Sequence, residues 1–329
     1  NSGDCTDPEN PCRTVQHGVD VASEGDVVKI ATGVYTDVNN RGGLAQIVYI
    51  SKGITLEGGY TMADWTVPDP QANPTTLDAE DRGRVIYIAG DIDVTVLGLR
   101  ITGGSARGLG GYWVRGMDAG GGMYVISATV TLSNSAVVSN RFYGTVGPSG
   151  SGYGGGLYLH KSDTTLVSNV ISWNWVGYDA SGGGLYVYEG EVTLRGNTLS
   201  HNSAGGGLGA SGGGLGLEGA KAVLIGNTVS DNSTSGYTAS GGGLSARSGD
   251  LTLIGNTFSG NPARGSRGNH GGGMYLSSCT ATFVGNSILA NRALKGYLFG
   301  KGADGLHFTN GTATLSNNII AEHPVTGLY

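Results

Sequence analysis

Few side chains in this 329-residue chain are of types and spacings that do chemistry. Asp163, Glu191 and Asp250 share one place in a recurring pattern, nine residues after a Gly-rich start, and Thr129, Lys221 and Thr280 hold that place in neighbouring copies. Two carboxylates brought side by side could act as general acid and base, or share a Ca²⁺ ion. Lys221 falls between Glu191 and Asp250 in the series, so charge compensation along a solvated edge is the simpler reading. His270 in "GNHGGG" has no aspartate pair that can be placed next to it, and a histidine in a turn is more often structural than catalytic. Cys5 and Cys12 in "CTDPENPC" frame a short Pro-containing loop that a disulfide would close; a zinc site would need two further ligands, and His17 is the one neighbour to offer itself. A disulfide fits an extracytoplasmic address. Cys279 has no evident partner and reads as a buried thiol. The expectation is a chain with no catalytic set, no metal and no cofactor.

What would position these residues is a repeat. "GGGL" or "GGGM" begins at Gly120, Gly154, Gly182, Gly212, Gly241 and Gly271, with a degenerate "GADGL" at Gly302, at intervals of 34, 28, 30, 29, 30 and 31. Twenty residues after the first six starts come Asn140, Asn174, Asn202, Asn232, Asn261 and Asn291. Five residues before those stand Ser135 and then Asn169, Asn197, Asn227, Asn256 and Asn286. All variation in length falls between the second Asn and the next glycine run, which is the mark of stacked units with one variable loop per turn.

Within a unit the apolar residues alternate with period two, as in Leu185-Tyr186-Val187 and Val192-Thr193-Leu194, and no helical period is present. Short strands in units of about 30 residues predict a parallel β-helix, each strand pairing with its equivalent one coil away at ~4.8 Å. Identical residues then stack: Leu, Val and Ile inward, Gly at positive-φ corners, and Asn at corners, its amide bonding the Asn above and below in a ladder. "VVKIATGVY", "IVYISKGITLEGGY" and "VIYIAGDIDVTVLGLRITGG" read as three looser coils ahead of the seven repeats. The expected fold is all-β, a single-stranded parallel β-helix of about ten coils, roughly 48 Å long. A short capping helix over Thr14 to Ala22 carries Val15, Val19 and Ala22 on one face. Residues 1–36 hold the disulfide loop, that helix and the first coil; 37–329 continue the β-helix as part of the same single domain.

Composition excludes other classes. Gly is 63 of 329, but it does not recur every third residue and Pro is only 8, so collagen is ruled out. The net charge of −6 comes without any Lys/Arg run, which argues against a nucleic-acid partner. No apolar run approaches the ~20 residues of a membrane span.

The "GGGL…NxxxxN" units resemble the repeats of chlamydial-type polymorphic outer-membrane proteins. "CTDPENPCRTVQHGVDVASEGDVVKIATGVY" is similar to the start of many secreted bacterial β-helix proteins of the pectin-lyase-like superfamily. Together the resemblances imply a right-handed coil and a secreted or cell-surface, bacterial location. Pectate lyases of that superfamily use an acidic Ca²⁺ cluster with a basic residue beside it, and polygalacturonases use aspartates on adjacent coils with a Gly-His-Gly and a basic tripeptide. Neither set is present here.

Two outward columns bear on function. Lys29, Tyr49, Tyr87, Tyr124, Tyr158, Tyr186, Gly216, Ser245, Tyr275 and His307 are expected to stack on one face. The tyrosines would then form a continuous outward strip, either a sheet-stabilising stack or a surface for a glycan or protein partner. Thr55, Thr95, Thr131, Thr165, Thr193, Val223, Thr252, Thr282 and Thr314 form a second column. An ice-binding face would need paired threonine columns, and the neighbouring Ser133, Val167, Arg195, Ile225, Ile254 and Val284 are mixed. The favoured reading is a non-catalytic structural or adhesive protein of the cell exterior, with polysaccharide binding or degradation as the alternative and ice binding as a minor one. "SNNIIAEHPVTGLY" still runs through the coil pattern at Tyr329, so an open last coil and head-to-tail self-association into a filament are expected.

Overall fold

The repeat Leu185–Arg195 is one long strand with an alternating face: Leu185, Val187, Val192 and Leu194 are fully or almost fully buried. It pairs in register with Leu157–Val167 on one side and Leu215–Ile225 on the other. The next two strands of the coil, Thr198–Ser200 and Ser203–Gly205, pair in the same way with their equivalents. The computed structural model describes residues 5–112, 117–143, 151–294 and 303–324. They build a β-solenoid of about nine turns with one short helix. A broad 17-stranded sheet, a ten-stranded second sheet and a third face split into two smaller sheets wrap one main apolar core.

Each turn needs sharp corners, and the chain makes them with left-handed residues. In the coil of Leu185–Arg195 these include Gly182 (φ 65), Glu189 (φ 49), Gly196 (φ 62) and His201 (φ 56). The ladder asparagines themselves are not left-handed; the residue just before each one is. Asn197 follows Gly196, and Asn202 follows His201. The asparagines instead work as buried brackets. Asn202 donates from Nδ2 to the Ile171 carbonyl (2.8 Å) and to Asn232 Oδ1 (2.9 Å), and its own Oδ1 accepts from the backbone N–H and Nδ2 of Asn174 (3.0 Å each). The same pattern runs from Asn140 to Asn291 in one ladder and from Asn169 to Asn286 in the other. The spacing from glycine run to second Asn follows from packing: a Cβ on Gly184 would lie 2.9 Å from the side chain of Asn202.

The last described coil corrects the repeat boundary. Leu306 pairs with Met274, so the places of Gly271, Gly272 and Gly273 are taken by Ala303, Asp304 and Gly305, and Gly302 lies outside the described residues. Asn318 then extends the ladder of Asn169 to Asn286 by accepting from Asn286, and in the ladder of Asn140 to Asn291 the ring of His323 sits where a seventh Asn would, against the carbonyls of Asn291 and Ile288.

At the other end the helix Val15–Val21 is capped by Thr14, whose hydroxyl accepts from His17 N–H at 3.3 Å. Val15 and Val19 close the core, and Gln16 grips the backbone of Tyr49 through both ends of its amide (2.6 and 3.2 Å). The Cys5–Cys12 disulfide is formed, with Cα atoms 5.1 Å apart, so His17 next to it has no thiolate pair with which to hold zinc. Strand Val27–Ala31 pairs with Thr55–Tyr60, which puts Lys29 opposite Glu57. Lys29 therefore does not belong to the tyrosine column; the helix covers the rung above Tyr49 instead.

Candidate functional site

The tyrosine column exists and is continuous. Tyr49, Tyr87, Tyr124, Tyr158 and Tyr186 pair rung to rung, and their rings stack with centroids 5.4, 5.0, 5.2 and 5.9 Å apart. It lies outside the solenoid core, as expected, but it is not an exposed strip. Tyr124, Tyr158 and Tyr186 are 3%, 0% and 2% exposed, because the variable loops fold back over them. Met117, Ala119 and Tyr153 pack on the rings in a second small core. Arg84, buried, ties this cover down: its guanidinium lies over Tyr124 at 4.9 Å and bonds the carbonyls of Ala119 and Gly110. Burial holds the Arg84 pKa down to about 10 and pushes that of Tyr124 up to about 12. The glycine spacing could not reveal this cover, since loops of unequal length carry no periodic signal.

The column is interrupted once. After Tyr186 come Gly216 and Ser245, and the aromatic series resumes with Tyr275 and His307. A cavity of about 480 Å³ opens at the gap, reaching Tyr186 at one end and Tyr275 at the other. One wall is a row of hydroxyls: Ser181 and Ser211 are 2.9 Å apart, and Ser240 pairs with Ser211 on the next coil. The opposite wall comes from a column that the sequence reading missed. Ala89, Ile126, His160, Tyr188, Glu218, Arg247, Ser277 and Thr309 stack two residues beyond the tyrosines. That column becomes charged at Glu218 and Arg247, the same two coils at which the tyrosines give way to Gly and Ser. Glu218 also accepts from the Tyr186 hydroxyl. The notch thus offers aromatic edges, hydroxyls, one acid and one base.

His270 stands one coil beyond Ser240. It is not isolated in its turn: its ring lies 5.0 Å from His307 and 5.7 Å from Tyr275, and burial lowers its pKa.

The remaining sequence candidates fall elsewhere. Asp163, Glu191, Lys221 and Asp250 do stack in one column, and Lys221 Nζ reaches Glu191 at 3.1 Å on the open surface. The threonine column is in register along the broad sheet, and its neighbour from Ser133 to Val284 is mixed, as read. Cys279 is buried, which raises its thiol pKa.

A family described as a right-handed β-helix region matches residues 155–329, more than half of the sequence. The chain belongs to the right-handed β-helix family. Its matched portion begins at the second repeat, inside "GGGL", and spans Tyr186 to Tyr275. Comparison with curated proteins and with solved structures returns no match. No helix among the described residues is long and apolar enough to cross a membrane.

Proposed function

We propose that this right-handed β-helix is a non-catalytic structural or adhesive protein of the cell exterior whose recognition site is the notch between Tyr186 and Tyr275, and that its ligand there is a glycan. One observation carries the reading. The stacked tyrosines are replaced by Gly216 and Ser245 on two adjacent coils, and charged Glu218 and Arg247 appear on those same coils. Aromatic edges with hydroxyl and charged partners are the chemistry that recognises a sugar chain. Support for a non-catalytic role comes from the acidic column, where Glu191 is paired with Lys221 at the surface. The polysaccharide-degrading reading would instead require bond cleavage at the notch, with Glu218 as the acid.

Ser245→Tyr tests it. The new ring would fill the gap between Gly216 and Tyr275 and continue the stack. Immobilised oligosaccharides retained by the parent chain should no longer be retained, with the melting temperature unchanged or raised. Equal retention by the variant, or release of reducing ends that Glu218→Gln abolishes, would refute the reading. Self-association end to end is part of the same proposal. Its support is the strand Thr312–Ser316, which pairs on one side only among the described residues and leaves Leu315 40% exposed.

A further inference from the structure

His160 is a titratable side chain enclosed where its charged form meets no acceptor. It is 3% exposed, and neither ring nitrogen has a hydrogen-bond partner among the described residues. Its main chain is anchored, since its carbonyl accepts from the Ser127 N–H at 3.0 Å and from the Ser162 hydroxyl at 2.8 Å. In register it stands between Ile126 and Tyr188, and both of those pack on the small core that covers the tyrosines. Tyr188 lies 5.2 Å from the ring and Tyr158 6.3 Å. Its own strand brings Lys161 to it and Leu185–Arg195 brings Glu189, while Met123–Ile126 brings no charge. Lys161 and Glu189 pair with each other at 3.4 Å on the open surface. Burial first, and Lys161 second, hold the His160 pKa down against Glu189.

The cover over the tyrosines has a firm half and a slight one. Met117–Ala119 is the firm half: it pairs with Gly111–Tyr112, and Arg84 holds the Ala119 carbonyl at 3.0 Å. Gly152–Tyr153 is a strand of two residues, paired with Asp118–Ala119 on one side and bridged to Ser181 on the other. The Ser181 N–H donates to the Gly152 carbonyl at 3.0 Å. Tyr153 packs on the small core, its ring 4.9 Å from Tyr186, and it lines the notch together with Ser181 and Tyr186. The slight half of the cover therefore separates the notch from the buried tyrosines, and it rests on the same small core that encloses His160.

We propose that uptake of a proton by His160 releases Gly152–Tyr153 from the tyrosine column and lengthens the notch toward Tyr158. The meaning of that opening for recognition rests on the notch being the binding site; the opening itself does not. An imidazolium carries two N–H donors, and a buried charge without partners is costly. The ring therefore turns out to water, beside Lys161 and Glu189. Tyr188 and Tyr158 lose its packing, and the small core gives way at its slightest member, the two-residue strand. The sign follows from the burial: the closed form binds the proton less readily than the open one, so opening grows as the pH falls below about 6.5.

The test is amide hydrogen exchange of the full chain at single-residue resolution, each rate divided by its intrinsic rate at the same pH. The Ser181 N–H reports the cover, and the Asn174 N–H, bonded to Asn202 in the ladder, reports the solenoid. Protection at Ser181 should fall about tenfold between roughly pH 7.5 and 5.5, the limit for one proton taken up at an exposed histidine. Protection at Asn174 should hold over the same range. His160→Leu should abolish the fall at Ser181, and His270→Leu, whose ring stands against Tyr275 and His307, should leave it in place. The proposal is overturned by protection at Ser181 that does not change with pH, by a fall that survives His160→Leu or needs His270, or by Asn174 losing protection in step, which would be unfolding of the solenoid. The readout uses no sugar, so it stands or falls separately from the glycan reading of the notch.

Discussion

Asn202→Ala should cost this fold more than most single core truncations of its size. Asn202 is 0% exposed and makes four hydrogen bonds through its amide. Truncation leaves the buried backbone N–H of Asn174 without its acceptor and takes a donor from the Ile171 carbonyl. An orphaned buried polar group costs about 1–3 kcal/mol, and each ordinary bond lost adds roughly 1 kcal/mol net. The expected loss is about 3–5 kcal/mol, since water cannot enter against Gly184 to replace the amide. Asn202→Asp is the sharper comparison. It keeps the shape but sets a carboxylate against Asn232 Oδ1 and the Ile171 carbonyl, two acceptors. It should be worse than alanine at neutral pH and recover partly on acidification, when the protonated acid can donate. Urea unfolding gives both numbers, and amide exchange at Asn174 reports the site itself. A loss below about 0.5 kcal/mol for Asn202→Ala, the range of inconsequential surface changes, would refute the bracket argument.

Two further outcomes follow from the same structure. His160 is 3% exposed and wedged against Tyr188 at 5.2 Å; burial and nearby Lys161 hold its pKa down, partly opposed by Glu189. The unfolded chain therefore binds this proton more readily than the fold, so stability should fall as pH drops through about 6.5 toward 5. His160→Leu should flatten that slope in pH-dependent urea melts, with the part due to His270 and His307, shifted the same way, remaining. For end-to-end association, light scattering across a concentration series should show growth of elongated species, and a strictly monomeric chain at high concentration would rule it out.

The solenoid was legible because each repeating residue touches its own copy. Leu185, Leu215 and Leu244 stack inward in register, and a period-two pattern repeated every coil states that directly. The two Asn series were equally plain, although the reason for the glycine spacing needed coordinates: the third glycine is where the second Asn lies. What the repeat could not disclose was anything held by the variable loops. Tyr158 alternates outward as an exposed residue would, yet it is fully buried, because the cover over it comes from segments with no periodic counterpart. Lys29 was misplaced for a related reason. The first coil is incomplete, and its strand joins the threonine side of the broad sheet while a helix fills the tyrosine side.

Departures from a column therefore deserve different weights according to what the fold does with them. Gly216 breaks the tyrosine series, but it has a local cause: a Cβ there would lie 2.7 Å from the Tyr186 ring, which leans into the vacated space. Ser245, one coil on, has no such cause. Tyr275 follows it in register, and the open cavity beside it would take a larger side chain. Trp173 departs from its corner series too, but His201, itself at a left-handed corner, stacks on its ring at 4.4 Å and gives the departure a packing cause. In a stack stabilised by self-contact, a small residue beside empty space lowers the stability available to the rung. Selection for folding alone would not favour it, so Ser245, rather than the repeating positions, is where ligand contact is expected to reside.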